Sequence, residues 1–175
     1  MRFAAIRSTF AFISLATALA TTSASAAEQP KVNELNDIER LLIERDCIAL
    51  SNSYGHAIDF SDPDLMASLF AADGRWLPSG GSAQGPKAIH DYLAKQVGRP
   101  YVTRHVLTNT RIEVIDRDHA KGTAYLTMYR YDPAHPESIK TLSPALVGVL
   151  TDEYVRTPQG WRFQLRKLDR VRPAD

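Results

Sequence analysis

Two periodicities divide this chain. Leu35, Ile38, Leu41, Leu42, Ile48 and Ala49 recur at three- and four-residue spacing, marking one apolar face of a helix that runs to about Asp59. Asn36 stands at its N-cap, with Asp37 and Glu39 in the first turn, where acids complement the helix dipole. Ser61-Asp-Pro63 restarts the chain: Asp62 caps, Pro63 takes the first helical position, and Leu65, Met66, Leu69 and Phe70 predict a short second helix ended by Asp73-Gly74. Arg75 to Pro78 reads as a short strand and residues 80–85 as a glycine-rich loop. Pro86 opens a third helix through about Val97, with Ile89, Tyr92, Leu93 and Val97 on one side, before Gly98 and Pro100 stop it.

From Val102 the period changes to two. Strands are expected near 102–116, 120–131, 145–157 and 160–169, separated by Asp116-Arg-Asp118, by the stretch from Asp132 to Pro144, and by Pro158-Gln-Gly160. In the second of these Ala124, Leu126 and Met128 alternate with Tyr125, Thr127 and Tyr129, which gives an antiparallel strand two different faces. Helices followed by a run of such strands predict an α+β fold: three N-terminal helices packed on one side of a strongly curved antiparallel sheet, in a single domain over residues 35–172.

The first 26 residues read as an address rather than structure. Arg2 and Arg7 form a positive start, Phe10 to Ala20 is apolar but too short to span a bilayer, and Ala24-Ser-Ala26 matches a small-residue cleavage site. A signal peptide over 1–26, followed by a polar lead-in over 27–34, implies a secreted or periplasmic protein that is free of the membrane once the signal is removed. Residues 1–26 carry two arginines and no acids, so their removal takes the net charge from +1 to −1. A near-neutral domain has no electrostatic case for nucleic acid. Cys47 is the single cysteine, which excludes an intrachain disulfide and leaves the core to hold the fold alone.

The candidate chemistry lies in two residues 46 positions apart, Asp59 at the end of the first helix and His105 on a strand. A neutral imidazole abstracts a proton well near pH 7, since its unperturbed pKa is about 6.5. A carboxylate on the other ring nitrogen fixes the tautomer and stabilises the imidazolium that forms. Tyr54 and Asn109 could donate to or orient a substrate oxygen, and Arg166 could stabilise developing negative charge. The plainer readings stand beside these. His105 could satisfy a backbone carbonyl, Asp59 could begin a turn, and Tyr54 and Trp76 suit a core as well as a cavity wall. Arg166 continues the polar alternation Arg162, Gln164, Arg166, which points it outward. His56, His90, His119 and His135 form no His-x-His or His-Glu-x-x-His spacing, so no dedicated metal site is expected. The glycine-rich loop lacks a following Lys-Ser/Thr, and neither a nucleophile elbow nor a dinucleotide fingerprint occurs.

The order of elements, together with Tyr54 to Asp64, Leu69-Phe-Ala-Ala-Asp-Gly74 with Trp76, Gly85-Pro86, Arg104-His105 to Asn109, Asp152-Glu-Tyr154 and Trp161-Arg-Phe163, resembles the SnoaL-like branch of the NTF2-like superfamily. That branch is similar to scytalone dehydratase, hexachlorocyclohexane dehydrochlorinase and the β subunits of ring-hydroxylating dioxygenases. The resemblance implies a cone: a bent sheet wraps a long helix and leaves an apolar cavity open at one end. It also implies that an Asp on the first helix pairs with a proton-abstracting His on the sheet, where Asp59 and His105 fall. An arginine five residues after the last-strand tryptophan corresponds to Arg166 after Trp161. The chain departs from the dehydrochlorinase pattern at Tyr54, where a lysine would stand, and the additional tyrosines and second histidine of scytalone dehydratase have no match.

Three functions therefore compete. One is a cofactor-independent, dehydratase-like lyase or isomerase acting on a small, largely apolar molecule, with His105 as base, Asp59 as orienter, and Tyr54, Asn109, Arg166 and Trp76 around the substrate. The second is a non-catalytic binding protein for a hydrophobic ligand. The third is a homo-oligomeric assembly module, dimer or trimer, built through the outer sheet face. Under the first reading, Asp59→Asn is expected to slow turnover while leaving stability nearly intact.

Overall fold

The computed structural model describes residues 35–141 and 143–171. The signal peptide and lead-in expected over residues 1–34 lie outside them, as does Arg172 at the expected domain end. Helix α1 spans Asp37–Asp59, α2 Pro63–Ser68 and α3 Pro86–Ala94. The strands are β1 Phe70–Leu77, β2 Ala83–Gln84, β3 Val102–Val114, β4 His119–Tyr131, β5 Pro144–Thr157 and β6 Gly160–Arg170. They form one curved sheet in the order β2-β1-β6-β5-β4-β3. Every pairing is antiparallel except β1 with β6, which is parallel.

Local chemistry sets the helix starts. The Asn36 side chain accepts from the Glu39 N–H at 2.9 Å and the Glu39 carboxylate accepts from the Asn36 N–H at 2.9 Å, a reciprocal capping box. Asp62 accepts from the Leu65 N–H at 2.9 Å and Pro63 occupies the first turn of α2. The β3–β4 turn is held by Asp116, whose carboxylate accepts from the N–H groups of Asp118 and His119, each at 2.8 Å.

Three expectations need correction. Helix α1 buries Ile43, Cys47, Leu50, Ser51, Tyr54, Gly55 and Ala57, whereas Ile38 is 70% and Leu41 64% exposed, and Leu42 and Ile48 are exposed too. Apolar residues surround much of this helix, so spacing alone could not choose its inner face. The chosen face is rich in small residues, which let the helix lie close to the sheet while Tyr54 fills the gap. Leu69 to Asp73 do not continue α2: Phe70 opens β1 beside Phe163, and the Phe163 N–H donates to the Leu69 carbonyl at 2.9 Å. An apolar run this short suits a buried strand as well as a helix, and tertiary pairing decides it. Helix α3 stops at Ala94, three residues before the expected end.

The outward orientation expected of Arg166 is also overturned. Between Glu153↔Leu165 and Tyr154↔Phe163 the β5–β6 register shifts, so Gln164 is an extra residue on β6. A bulge inverts the alternation beyond it, because the side-chain period of a strand is two. Trp161 and Phe163 point inward before the bulge and Arg166 points inward after it, fully buried. Its guanidinium donates to both Asp152 carboxylate oxygens, from Nε at 2.9 Å and Nη2 at 2.6 Å, and Nη2 also reaches Ser51 Oγ at 2.5 Å. Nη1 has no hydrogen-bond partner among the described residues. The guanidinium carbon lies 4.3 Å from the Tyr54 ring centroid and 4.1 Å from that of Phe163, so the cation is also solvated by ring faces. Tyr154 donates to Asp152 at 2.9 Å and completes the cluster.

Removing one partner of a buried ion pair leaves an uncompensated charge, which costs about 3–5 kcal/mol. Asp152→Ala should therefore lower the unfolding free energy by about that amount in urea, because both Arg166 and Tyr154 lose an acceptor. Glu153→Ala, at the adjacent exposed position, should stay within about 0.5 kcal/mol of the parent. Equal stabilities for the two variants would refute this account of the core.

Candidate active site

The last turn of α1 ends beside β3, and there the chain gathers its titratable groups. Thr103 and His105, two residues apart on β3, present side chains to the same face. The Asp59 carboxylate receives both: His105 Nδ1 lies 2.5 Å from Oδ1, Thr103 Oγ1 donates to Oδ1 at 3.1 Å, and the His105 backbone N–H donates to Oδ2 at 2.9 Å. The two side chains of the Asp59–His105 pair are each 8% exposed. Burial pushes the Asp59 carboxyl up, but the hydrogen bonds from the His105 ring, the His105 N–H and Thr103 outweigh it and hold the group below the usual carboxylate range. An ionised Asp59 accepts the Nδ1 proton of the His105 ring, so the neutral tautomer of that ring carries its lone pair on Nε2.

The pair borders a cavity of about 320 Å³, at the small end of the range for ligand sites. Leu126, Met128, Leu146 and Leu168 from β4, β5 and β6 form its apolar wall, and Tyr54, Trp76 and Tyr92 close another side. Its sheet wall belongs to a second hydrophobic cluster, separate from the one that packs α1 against Phe163 and Trp161. The space between the two clusters is the cavity.

The sequence-predicted residues divide into two groups. His105, Asp59, Tyr54 and Trp76 all line the cavity. Tyr54 and Trp76 meet edge to face with centroids 6.2 Å apart, and both are almost wholly buried. Burial raises the Tyr54 phenol, with Arg166 and the Trp76 indole pulling the other way, so its hydroxyl stays a donor at neutral pH. Asn109 and Arg166 do not line the cavity. Asn109 is exposed and adopts a left-handed backbone, φ 53°, inside the β3 bulge between Thr108↔Tyr125 and Arg111↔Thr123. Asparagine tolerates that conformation better than most residues, so its place here is a backbone role. Arg166 stands behind Tyr54 rather than beside the cavity.

Sequence reasoning missed Thr103, although its position two residues before His105 was the available signal. It also missed Arg99, Tyr101 and Arg130, which line the cavity but sit where nothing local marks them. Cys47 is buried and its thiol is pushed up to about 12 by burial, with Asp46 and Asp152 adding to the effect, so it is no nucleophile. His56 stacks on Phe60 at 5.8 Å, and His90 and His119 pair with the neighbouring Asp91 and Asp116. Among the described residues no three His, Cys, Asp or Glu side chains gather as metal ligands would.

The family model of the SnoaL-like domain matches residues 39–167. The chain belongs to the SnoaL-like family. Solved structures agree with the fold. LinA is 25% identical over 79% of this chain and 92% of its own, with a TM-score of 0.66. A putative scytalone dehydratase from Novosphingobium aromaticivorans is 18% identical over 77% of this chain and 88% of its own, with a TM-score of 0.65. An NTF2-like protein with a cystatin-like fold from the same organism is 22% identical over 82% and 94%, with a TM-score of 0.64. No curated protein matches the chain. The SnoaL-like domain of this chain is thus an NTF2-like cone, structurally related to LinA and to a dehydratase-named neighbour.

The three donors on Asp59 revise the expectation that Asp59→Asn leaves stability intact. An amide can accept on one side only, so its NH₂ would face a donor, at a cost of about 1–3 kcal/mol at neutral pH. Because the folded carboxyl titrates below its unfolded value of about 3.9, its contribution is fully present above that pH and is lost as pH falls through the lower folded value. Unfolding curves of parent and Asp59→Asn should therefore differ at pH 7 and converge in acid. Parallel pH profiles would show that the three contacts contribute no net stability.

Proposed function

We propose that this protein is a cofactor-independent lyase or isomerase that moves one proton of a small organic substrate, with His105 as general base and Asp59 as its orienting partner. The observation that carries the reading is the 2.5 Å contact between His105 Nδ1 and Asp59 on the wall of a cavity whose sheet side is apolar. A ring whose Nδ1–H is committed to a carboxylate offers Nε2 to an acidic C–H, and the imidazolium formed keeps its ion pair. Burial of the pair, each side chain 8% exposed, strengthens that electrostatic partnership. The Tyr54 hydroxyl, protonated at neutral pH, is a donor available to a substrate oxygen that gains charge. Dehydration, elimination, double-bond migration and cyclisation all begin with this single proton transfer. Thr103 is a positioning residue: it fixes the carboxylate that fixes the ring.

The base can be tested without the natural substrate. The ring opening of 5-nitrobenzisoxazole needs one base: the C3 proton passes to Nε2, the C–H electrons form a nitrile and the N–O bond breaks to a phenolate. Positioned bases contribute about 10²–10⁴-fold, so His105→Ala should lower kcat/KM by about 100-fold or more and Asp59→Asn by a smaller factor. Turnover by His105→Ala equal to that of the parent would remove His105 from the mechanism.

We further propose that two copies associate through the convex face of the sheet. There Val106, Thr127 and Val147 form one uncharged row across β3, β4 and β5, with exposed Tyr125 beside it. Arg104, Arg111, Lys167 and Asp169 lie around it, the arrangement of an apolar interface centre with a charged rim. Such a self-complementary patch suits a two-fold pairing. Light scattering at micromolar concentration should give the dimer mass, and Val147→Asp should return the monomer. A monomeric parent protein would overturn the proposal.

A further inference from the structure

The cavity mouth carries charge that proton abstraction does not use. Arg99, in the segment after α3, and Arg130, near the end of β4, both line it. Each guanidinium lies over the Tyr101 ring, with carbon-to-centroid distances of 5.5 Å for Arg99 and 5.0 Å for Arg130. Arg99 Nη1 also donates to the Tyr101 hydroxyl. Neither arginine has a carboxylate partner among the described residues, although Arg45, Arg117 and Arg166 all do. The single carboxylate of the cavity lining, Asp59, is committed to His105 and Thr103. Two exposed cations thus stand at the opening of a small cavity with an apolar sheet wall, in a chain whose net charge is only +1.

Stacking on Tyr101 leaves the N–H edge of Arg130 and the Arg99 N–H groups not bound to the Tyr101 hydroxyl free, and reduces the rotamer entropy both would lose on gripping a ligand. Their depth is set by strand register. Arg130 lies opposite Thr103 and Met128 opposite His105, so the cation is two residues, roughly 7 Å, along β4 from the level of the base. The Met128 and Leu146 side chains line the same cavity. Cation, apolar wall and base therefore follow one another over the length of a one- or two-ring molecule.

We infer that the cavity takes a small amphiphilic organic acid, its carboxylate held at the mouth by Arg99 and Arg130 and its apolar body laid over Met128 and Leu146 toward His105. This deepens the reading of the cavity as a substrate site and rests on it. It narrows a largely apolar substrate to an anionic one, and it gives the two arginines a specificity role separate from the proton transfer.

The test compares two near-isosteric probes by calorimetry, 2-naphthoate and its neutral analogue 2-naphthamide, with no turnover required. The parent protein should bind the acid about tenfold tighter, the scale of charge-assisted hydrogen bonds at a partly wet site, and added salt should weaken the acid alone. Both arginines are exposed, so the double variant Arg99→Gln/Arg130→Gln should fold and bind the two probes equally. His105→Ala should keep the preference for the acid. A parent protein that binds the acid no tighter than the amide overturns the inference, as does a preference that survives in the double variant. If the preference holds while His105→Ala retains full ring-opening activity, the anion site stands and the base assignment alone falls.

Discussion

The carboxylate of Asp59 is the joint on which the site depends. One side chain at the C-terminal turn of α1 accepts from the backbone, the ring and a neighbouring hydroxyl of β3. These bonds close a loop of more than forty residues, so the helix end cannot drift along the strand without leaving buried donors unpaired. The same bonds fix the His105 ring. Placement of the helix and orientation of the imidazole are therefore one constraint, and the cavity is the space left once it is met.

How much of this the sequence reveals depends on where the period holds. The four long strands lie within about two residues of their expected limits, because turn residues bracket them and alternation is clean between. The N-caps Asn36 and Asp62 were equally legible, since their side chains act on neighbours three residues away. The Asp59–His105 contact was reachable through the family resemblance, because elements in that order place a helix end against the sheet. Failures occur where a local rule is broken by something distant. One extra residue at Gln164 turns Arg166 from the surface into the core, and the β3 bulge does the same service for Ile112 and Val114. Bulges leave little trace in composition beyond a tolerant residue such as Asn109. The inner face of α1 was misread for the opposite reason: too many apolar residues gave the helix more than one plausible face.

The two carboxylate clusters of this fold show how burial sorts the same chemistry into different uses. Asp152 holds Arg166, Asp59 holds His105, and each carboxylate is fully committed to donors. Arg166 is sealed between ring faces, so no ligand can reach it and its charge can only stabilise or destabilise the fold. The His105 ring borders open space and has one nitrogen left uncommitted, so a bond to it can form and break. An arginine has no proton to give near neutrality, whereas a histidine exchanges one there readily. Exposure and proton chemistry point to the same pair. Tyr54 lies between the clusters, stacked on the sealed cation by its face and lining the cavity beside Trp76. The buried ion pair thus acts on the cavity through this ring: it sets where the wall stands, and the wall sets what fits beside the His105 imidazole.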